Sequence, residues 1–218
     1  MRNKHINLME RSIFLLVFAT LLACCKPDTP TPPYKYESNP EFTWGMADFY
    51  GDYYNHGNSP IENNVVTLSL FTEKLFINEQ NQLDGTGQYL IVEDIFSAPG
   101  DTLLREGTYL VAETGEPFTF FSGKKFEDNR ETIPSGTYMY YIESDPTKSK
   151  ITYITGGSMT IQIENDTIYH IVCDFVLDEK TELKGSYKGI IDHYDRVVAT
   201  PPGSMEKEQI ELARKVKP

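Results

Sequence analysis

With 218 residues, 20 basic and 32 acidic side chains and a formal net charge of −12, the chain has the length of one ordinary domain with a real core plus terminal extensions. The acidic balance argues against nucleic acid and anionic lipid surfaces as electrostatic partners, and it fits a solvated surface. Of the three cysteines only Cys173 lies away from the N-terminus, which excludes an intradomain disulfide and leaves Cys173 as a small buried apolar residue on a strand.

Residues 13–25 read IFLLVFATLLACC behind a basic leader with Arg2, Lys4 and Arg11. The run is too short for a membrane span, which needs roughly 20 apolar residues, and its flanks are those of a secretory signal peptide. Leu21-Leu22-Ala23-Cys24 looks like a bacterial lipobox, with cleavage after residue 23 and lipid carried on Cys24. Cys25 does not replace it, because the residue before it would then be a cysteine where Gly, Ala or Ser is wanted. Without residues 1–23 the chain keeps 17 basic and 31 acidic residues, a charge of −14. Residues 24–40 form a tether: Pro27, Pro30, Pro32, Pro33 and Pro40 among polar residues favour extended polyproline II and hold a domain away from the bilayer.

From residue 41 to 200 the pattern changes to short runs rich in β-branched and aromatic residues, punctuated by Gly, Asn and Asp, as in antiparallel strands joined by turns. Strands are predicted at 44–54, 65–71, 88–97, 108–113, 137–143, 151–164 with a break at Gly156-Gly157, 167–177 and 186–191, with a short extra run at 118–121 pairing at an edge. The fold class is all-β: a single antiparallel barrel, or flattened barrel or sandwich, of about eight strands. These divide into two similar sets of four. VTLSL, QYLIVEDIFS and Gly107-Thr108-Tyr109 match MTIQI, TIYHIVCDFVL and Gly185-Ser186-Tyr187, and Gly136-Thr137-Tyr138 opens the strand before the second set. Glycine supplies positive φ at such an opening, the hydroxyl residue bonds its own backbone, and the tyrosine ring faces the core with its hydroxyl in water. Glu164-Asn165-Asp166-Thr167 is a tight hairpin connection. The strands at 88–97 and 167–177 are apolar on both faces and require cover from loops, the C-terminal segment or a partner. Residues 201–218 form a tail in which 204–217, SMEKEQIELARKVK, is a short helix candidate capped by Ser204.

No HExxH, GxSxG, P-loop, paired CxxC or EF-hand loop is present. His5, His56, His170 and His193 are too scattered for a metal site, so neither metal nor cofactor is expected. His170 and Cys173 fall on opposite faces of one strand, and Asp192, His193 and Asp195 read as a solvated strand end. Asp48, Asp52, Glu93 and Asp94 are carboxylates of the kind used in glycoside hydrolysis, but such pairs are set by spatial separation and sequence does not identify them. No catalytic residue is assigned, and the chain reads as a non-enzyme. The aromatic clusters FYGDYYNHG and GTYMYY are the candidate binding platform, since exposed tyrosine and tryptophan stack on sugar faces and anchor protein interfaces. The candidate ligand-binding residues are Trp44, Tyr50, Tyr53, Tyr54, Tyr138 and Tyr140.

The lipobox, the proline tether and the closing stretch GGSMTIQIENDTIYHIVCDFVLDEKTELKGSYKGII together resemble the β-rich cell-envelope lipoproteins of Bacteroidota, many of unknown function. The resemblance implies an outer-membrane protein anchored through Cys24, with the periplasmic or cell-surface face left open. It also implies O-glycosylation at Thr102 and Thr167, within Asp-Thr-apolar triplets, and a role as glycan-capture accessory, adhesin or assembly subunit. The leading expectation is a non-catalytic protein binding a glycan; the alternatives are a structural or adhesive envelope protein with a protein partner, and a lipocalin-like carrier of a small apolar ligand.

Overall fold

A computed structural model of the chain describes residues 37–55, 60–128 and 131–197. The leader, Cys24, most of the tether, His56 and the candidate helix at 204–217 lie outside the described residues. Among the described residues there is no α-helix, only one 3₁₀ turn at Pro146–Lys148. The strands are β1 (Glu41–Phe42), β2 (Trp44–Gly51), β3 (Asn64–Phe71), β4 (Leu75–Ile77), β5 (Leu83–Gly85), β6 (Gly87–Ser97), β7 (Gly107–Val111) and β8 (Thr119–Phe120). They continue with β9 (Lys124–Asp128), β10 (Glu131–Ser135), β11 (Thr137–Ile142), β12 (Lys150–Glu164), β13 (Ile168–Leu177), β14 (Glu182–Leu183), β15 (Ser186–Gly189) and β16 (Asp192–Asp195).

Every strand expected from the alternation is present, and the protein is all-β. Five strands, β6, β11, β12, β7 and β8, pair in a ring and close a small barrel. The remaining strands extend it: β3, β2 and β16 continue outward from β6, and β13, β15 and β1 from β12. Pairing is antiparallel except at β1 with β15, β16 with β2 and β7 with β8. The alternating apolar positions Val66, Leu68 and Leu70, Leu90 and Val92, and Ile171, Cys173 and Phe175 converge on one core. Phe42, Phe120, Met139 and Met159 fill its centre.

The two predicted sets of strands agree for three members and part at the fourth. β2-β3-β6 and β11-β12-β13 are both antiparallel meanders, and β15 adds to β13. β7 instead leaves β6 and pairs with β12 and β8, because the second edge of β6 is taken by β11 and β8. The run at 118–121 is not an edge strand: Phe120 is fully buried with its ring 5.8 Å from Phe175, so its apolar character places it inside the barrel as the closing strand. Of the three Gly-hydroxyl-Tyr openings, Gly107 and Gly136 take positive φ, and Gly185 does not. Tyr109 and Tyr187 face the core, but their hydroxyls return to the carbonyls of Arg105 and Ile190 and not to water; Tyr138 lies on the other face of the sheet. Asn165 and Asp166 both adopt the left-handed conformation in the β12–β13 turn, as their residue types allow.

β12 does not break at Gly156-Gly157 but bulges there, with the register against β13 shifting between Ile154 and Gly156. Gly157 has φ +105, and a Cβ on it would run into the carbonyl of Asp174. Gly157→Ala is therefore expected to cost ~1–3 kcal/mol from backbone strain, read as a lowered urea midpoint, whereas the same change at Gly100, where nothing lies within 4 Å of a Cβ, is expected to be near neutral.

Candidate functional site

The face of β2-β3-β6-β11-β12 turned away from the core carries its own aromatic layer. One cross-strand row runs Trp44, Phe71, Tyr89, Tyr140, Ile151, and the next runs Met46, Ser69, Ile91, Tyr138, Tyr153. Within the first row Trp44 stacks on Phe71 at 3.7 Å and Phe71 on Tyr89 at 4.4 Å, with interplanar angles of 5° and 7°. Facing rings at neighbouring positions of paired strands stand side by side, which is why the sequence alternation produces a stack. The indole N–H of Trp44 donates to the Leu75 carbonyl at 2.8 Å, tying the β4–β5 hairpin over the row; Leu75 is buried in the layer and Leu83 packs against it. Among the described residues β16 pairs with β2 only from Met46 onward, so the row ends at Trp44. Trp44 and Tyr140 are half-buried, and Tyr89, Tyr138 and Tyr153 are buried.

Two bulges stand side by side where the aromatic layer stops. In β2 the register shifts between Phe49 and Gly51, with Tyr50 in excess and Gly51 at φ +66. In β6 it shifts so that Glu93 and Asp94 together oppose Thr67, and Asp94 takes φ +55, unusual for a residue with a side chain. The bulge re-aims the chain: Ile95 returns to the core, and Phe96 packs against Phe121 at 4.8 Å and beneath the ring of Tyr54 at 6.0 Å. Tyr50, Tyr53 and Tyr54 form an edge-to-face series, Tyr50 to Tyr53 at 6.4 Å and Tyr53 to Tyr54 at 4.7 Å. The turn that carries them is closed by the Asn55 N–H donating to the Asp52 carbonyl.

The bulge also holds two carboxyl groups. Glu93 Oε2 accepts the Gly136 N–H at 2.7 Å, and the Asp94 carboxylate accepts the Tyr54 hydroxyl. Glu93 is half-buried, and that partial burial, then the neighbouring charge of Asp94, pushes its carboxyl up to about 8 despite the Gly136 N–H. Burial pushes Asp94 up to about 6, opposed by the Tyr54 hydroxyl and Lys124 and helped by Glu113. The phenol of Tyr54 is driven far above its ordinary range by burial and by Asp94.

The six predicted ligand residues are not brought to one spot. Trp44 and Tyr140 share the first row with Phe71 and Tyr89 between them; Tyr138 is buried in the second; Tyr50, Tyr53 and Tyr54 lie roughly 20 Å from Trp44 along β2. Thr102 and Thr167 are both exposed on connections. His170 is half-buried and bonds Glu164 at 3.0 Å on the face opposite Cys173, whose thiol burial pushes far up. Asp192 and Asp195 are exposed, and His193 lies 3.4 Å from the Tyr169 hydroxyl. No group of three or more His, Cys, Asp or Glu side chains among the described residues is placed to hold a metal ion. Sequence reasoning noted Glu93 and Asp94 only as members of an acidic composition; the adjacent acids inside the apolar run QYLIVEDIFS were the available signal. Comparison with family models, curated proteins and solved structures finds no match.

The raised carboxyls fix a sign for the pH dependence of stability. The folded chain binds more protons than the unfolded between about pH 4 and pH 8, so this contribution is present in full below that window and is lost as pH rises through it. The urea midpoint of the wild type is expected to fall from pH 6 to pH 8.5, and Glu93→Gln to flatten that decline; a wild-type midpoint constant over this range would contradict the assignment.

Proposed function

We propose that the chain is a non-catalytic outer-membrane lipoprotein, anchored through Cys24, whose β-domain binds an extracellular glycan along β2, from Trp44 to the tyrosines at the end of the strand. The carrying observation is the ring stack: half-buried Trp44 is held flat by Phe71 and by its bond to Leu75, at the end of the row among the described residues. A rigid, half-buried indole suits the C–H face of a pyranose, because little side-chain entropy remains to be lost on stacking. Tyr53 and Tyr54 provide the second aromatic group, and a ligand touching both ends has to be extended, as an oligosaccharide is.

Trp44 is the sole tryptophan, so its emission reports the site directly. The full chain in detergent, titrated with a soluble glucan, mannan, xylan and galactan, is expected to give a saturable change with at least one of them. Trp44→Ala, or Tyr53→Ala with Tyr54→Ala, is expected to weaken that binding about tenfold or more. Absence of binding to all four counts against the reading. Cys24→Ala is expected to leave the domain folded and release it from the membrane fraction, and retention there would contradict the anchor.

A second reading, an envelope assembly protein, is favoured by one observation: the second face of β13 exposes Val172 (57%) and Val176 (41%), beside exposed Leu110. A photo-cross-linker at Val172 that captures one stoichiometric protein neighbour in cells would select it. The packed interior, with Phe120, Phe175, Met139 and Met159 at its centre, argues against the lipocalin-like carrier.

A further inference from the structure

β16 runs alongside the middle of β2, parallel to it, with Asp192 beside Met46, His193 beside Ala47, Tyr194 beside Asp48 and Asp195 beside Phe49. Ala47 is buried in the core and His193 reaches the Tyr169 hydroxyl on that side, so the alternation puts Tyr194 and Asp48 together on the opposite face, the one that carries Trp44. Asp48 stands roughly 13 Å from Trp44 along the strand and so falls between Trp44 and the tyrosine turn.

Arg196, the residue after β16, is fixed from several sides. Its backbone N–H donates to the Phe49 carbonyl at 2.8 Å, its Nε donates to Asp48 Oδ1 at 2.6 Å, and its guanidinium carbon lies 5.3 Å from the centre of the Tyr194 ring. Val197 then seats against the β2 bulge, where a Cβ on Gly51 would come within 3.2 Å of its methyl group. Tyr194 is 44% exposed and the Arg196 side chain 51%, so both meet solvent, while the Asp48 side chain, at 15%, is mostly covered. An exposed ion pair contributes little to stability. What this one provides is an acceptor and donors held in place beside an exposed ring, which suits a sugar: the ring meets a C–H face, and the carboxylate and guanidinium meet neighbouring hydroxyl groups with little left to order.

Charge narrows the class of sugar. Residues 44–55 and 189–197 hold four carboxylates, Asp48, Asp52, Asp192 and Asp195, against one guanidinium, Arg196, which Asp48 already offsets. Asp52, Asp192 and Asp195 are exposed, so a uronate or sulfated sugar is repelled and an uncharged one is not. We propose that Tyr194, Asp48 and Arg196 form the middle of the glycan track, joining Trp44 to the tyrosine turn, and that the glycan they take is a neutral polysaccharide. The assignment rests on the binding reading above and adds contacts and a charge class to it.

Trp44 emission of the full chain in detergent tests it, with the glucan, mannan, xylan or galactan that binds, the shortest oligosaccharide of the same sugar that still shifts the emission, and polygalacturonate. Tyr194→Ala and Arg196→Gln are each expected to weaken polysaccharide binding about tenfold and to leave the short oligosaccharide, confined to the Trp44 end, within about twofold of wild type. Tyr194→Phe, which keeps the ring, is expected to retain wild-type affinity, and Arg196→Lys, which keeps the charge but not the planar fork, to behave as Arg196→Gln. Should Tyr194→Ala not fold, Arg196→Gln decides alone. Polysaccharide binding unchanged in either variant, short and long ligands weakened alike, or polygalacturonate bound as tightly as the neutral chain would each overturn the proposal. In those cases the wild type still binds glycan and the binding reading stands; a wild type that binds none of the four neutral polysaccharides overturns both.

Discussion

A strand has two edges, yet β6 and β12 each serve three neighbours. They do so by length: β6 spends its first half on β11 and its end on β8 while β3 runs along the other side, and β12 divides one edge between β11 and β7 while β13 runs along the other. At 11 and 15 residues they are the two longest strands described. The division is what allows a barrel of five strands to close within a larger sheet. It also sends part of each strand beyond the barrel wall, where its second face leaves the common core and needs separate cover.

The two strands that are apolar on both faces meet that need differently. On β6, Tyr89 and Ile91 are covered by aromatic side chains from β3, β11 and β12 and by the β4–β5 hairpin, giving a second hydrophobic layer. On β13, Val172 and Val176 remain exposed. The layer over β6 orders Trp44 through a continuous ring stack. The platform proposed for glycan thus originates in the extra demand placed on β6.

Much of this was legible in the sequence, for identifiable reasons. Where one face is buried and the other reaches solvent, as in Met159 and Ile161 against Thr160 and Gln162, period-two alternation locates the strand. The Asn165-Asp166 turn was legible because those residues tolerate positive φ. The β4–β5 and β9–β10 hairpins were not, because ribbons as short as LFI with LDG and KKFED with ETIPS carry no alternation to read. The route of β7 was hidden too, since which strand occupies an edge is decided by competition between distant segments. The candidate site was legible as residue types and not as a place: the aromatic runs were visible, but the gap between Trp44 and Tyr53, the burial of Tyr138 and the pairing of Asp94 with Tyr54 depend on register and bulges. A bulge adds a single residue and leaves no compositional trace.

The glycan proposal puts the ligand on the aromatic side of β2 and not on the side of β13 that exposes Val172 and Val176. The most direct measurement is aromatic and methyl carbon–proton correlation NMR of the full chain in detergent, with and without a saturating neutral polysaccharide. The account expects shifts concentrated at Trp44, Tyr50, Tyr53 and Tyr54, with Val172 and Val176 unmoved. Shifts confined to Val172 and Val176, or bound ligand with an unperturbed Trp44 and unperturbed tyrosines, would contradict it.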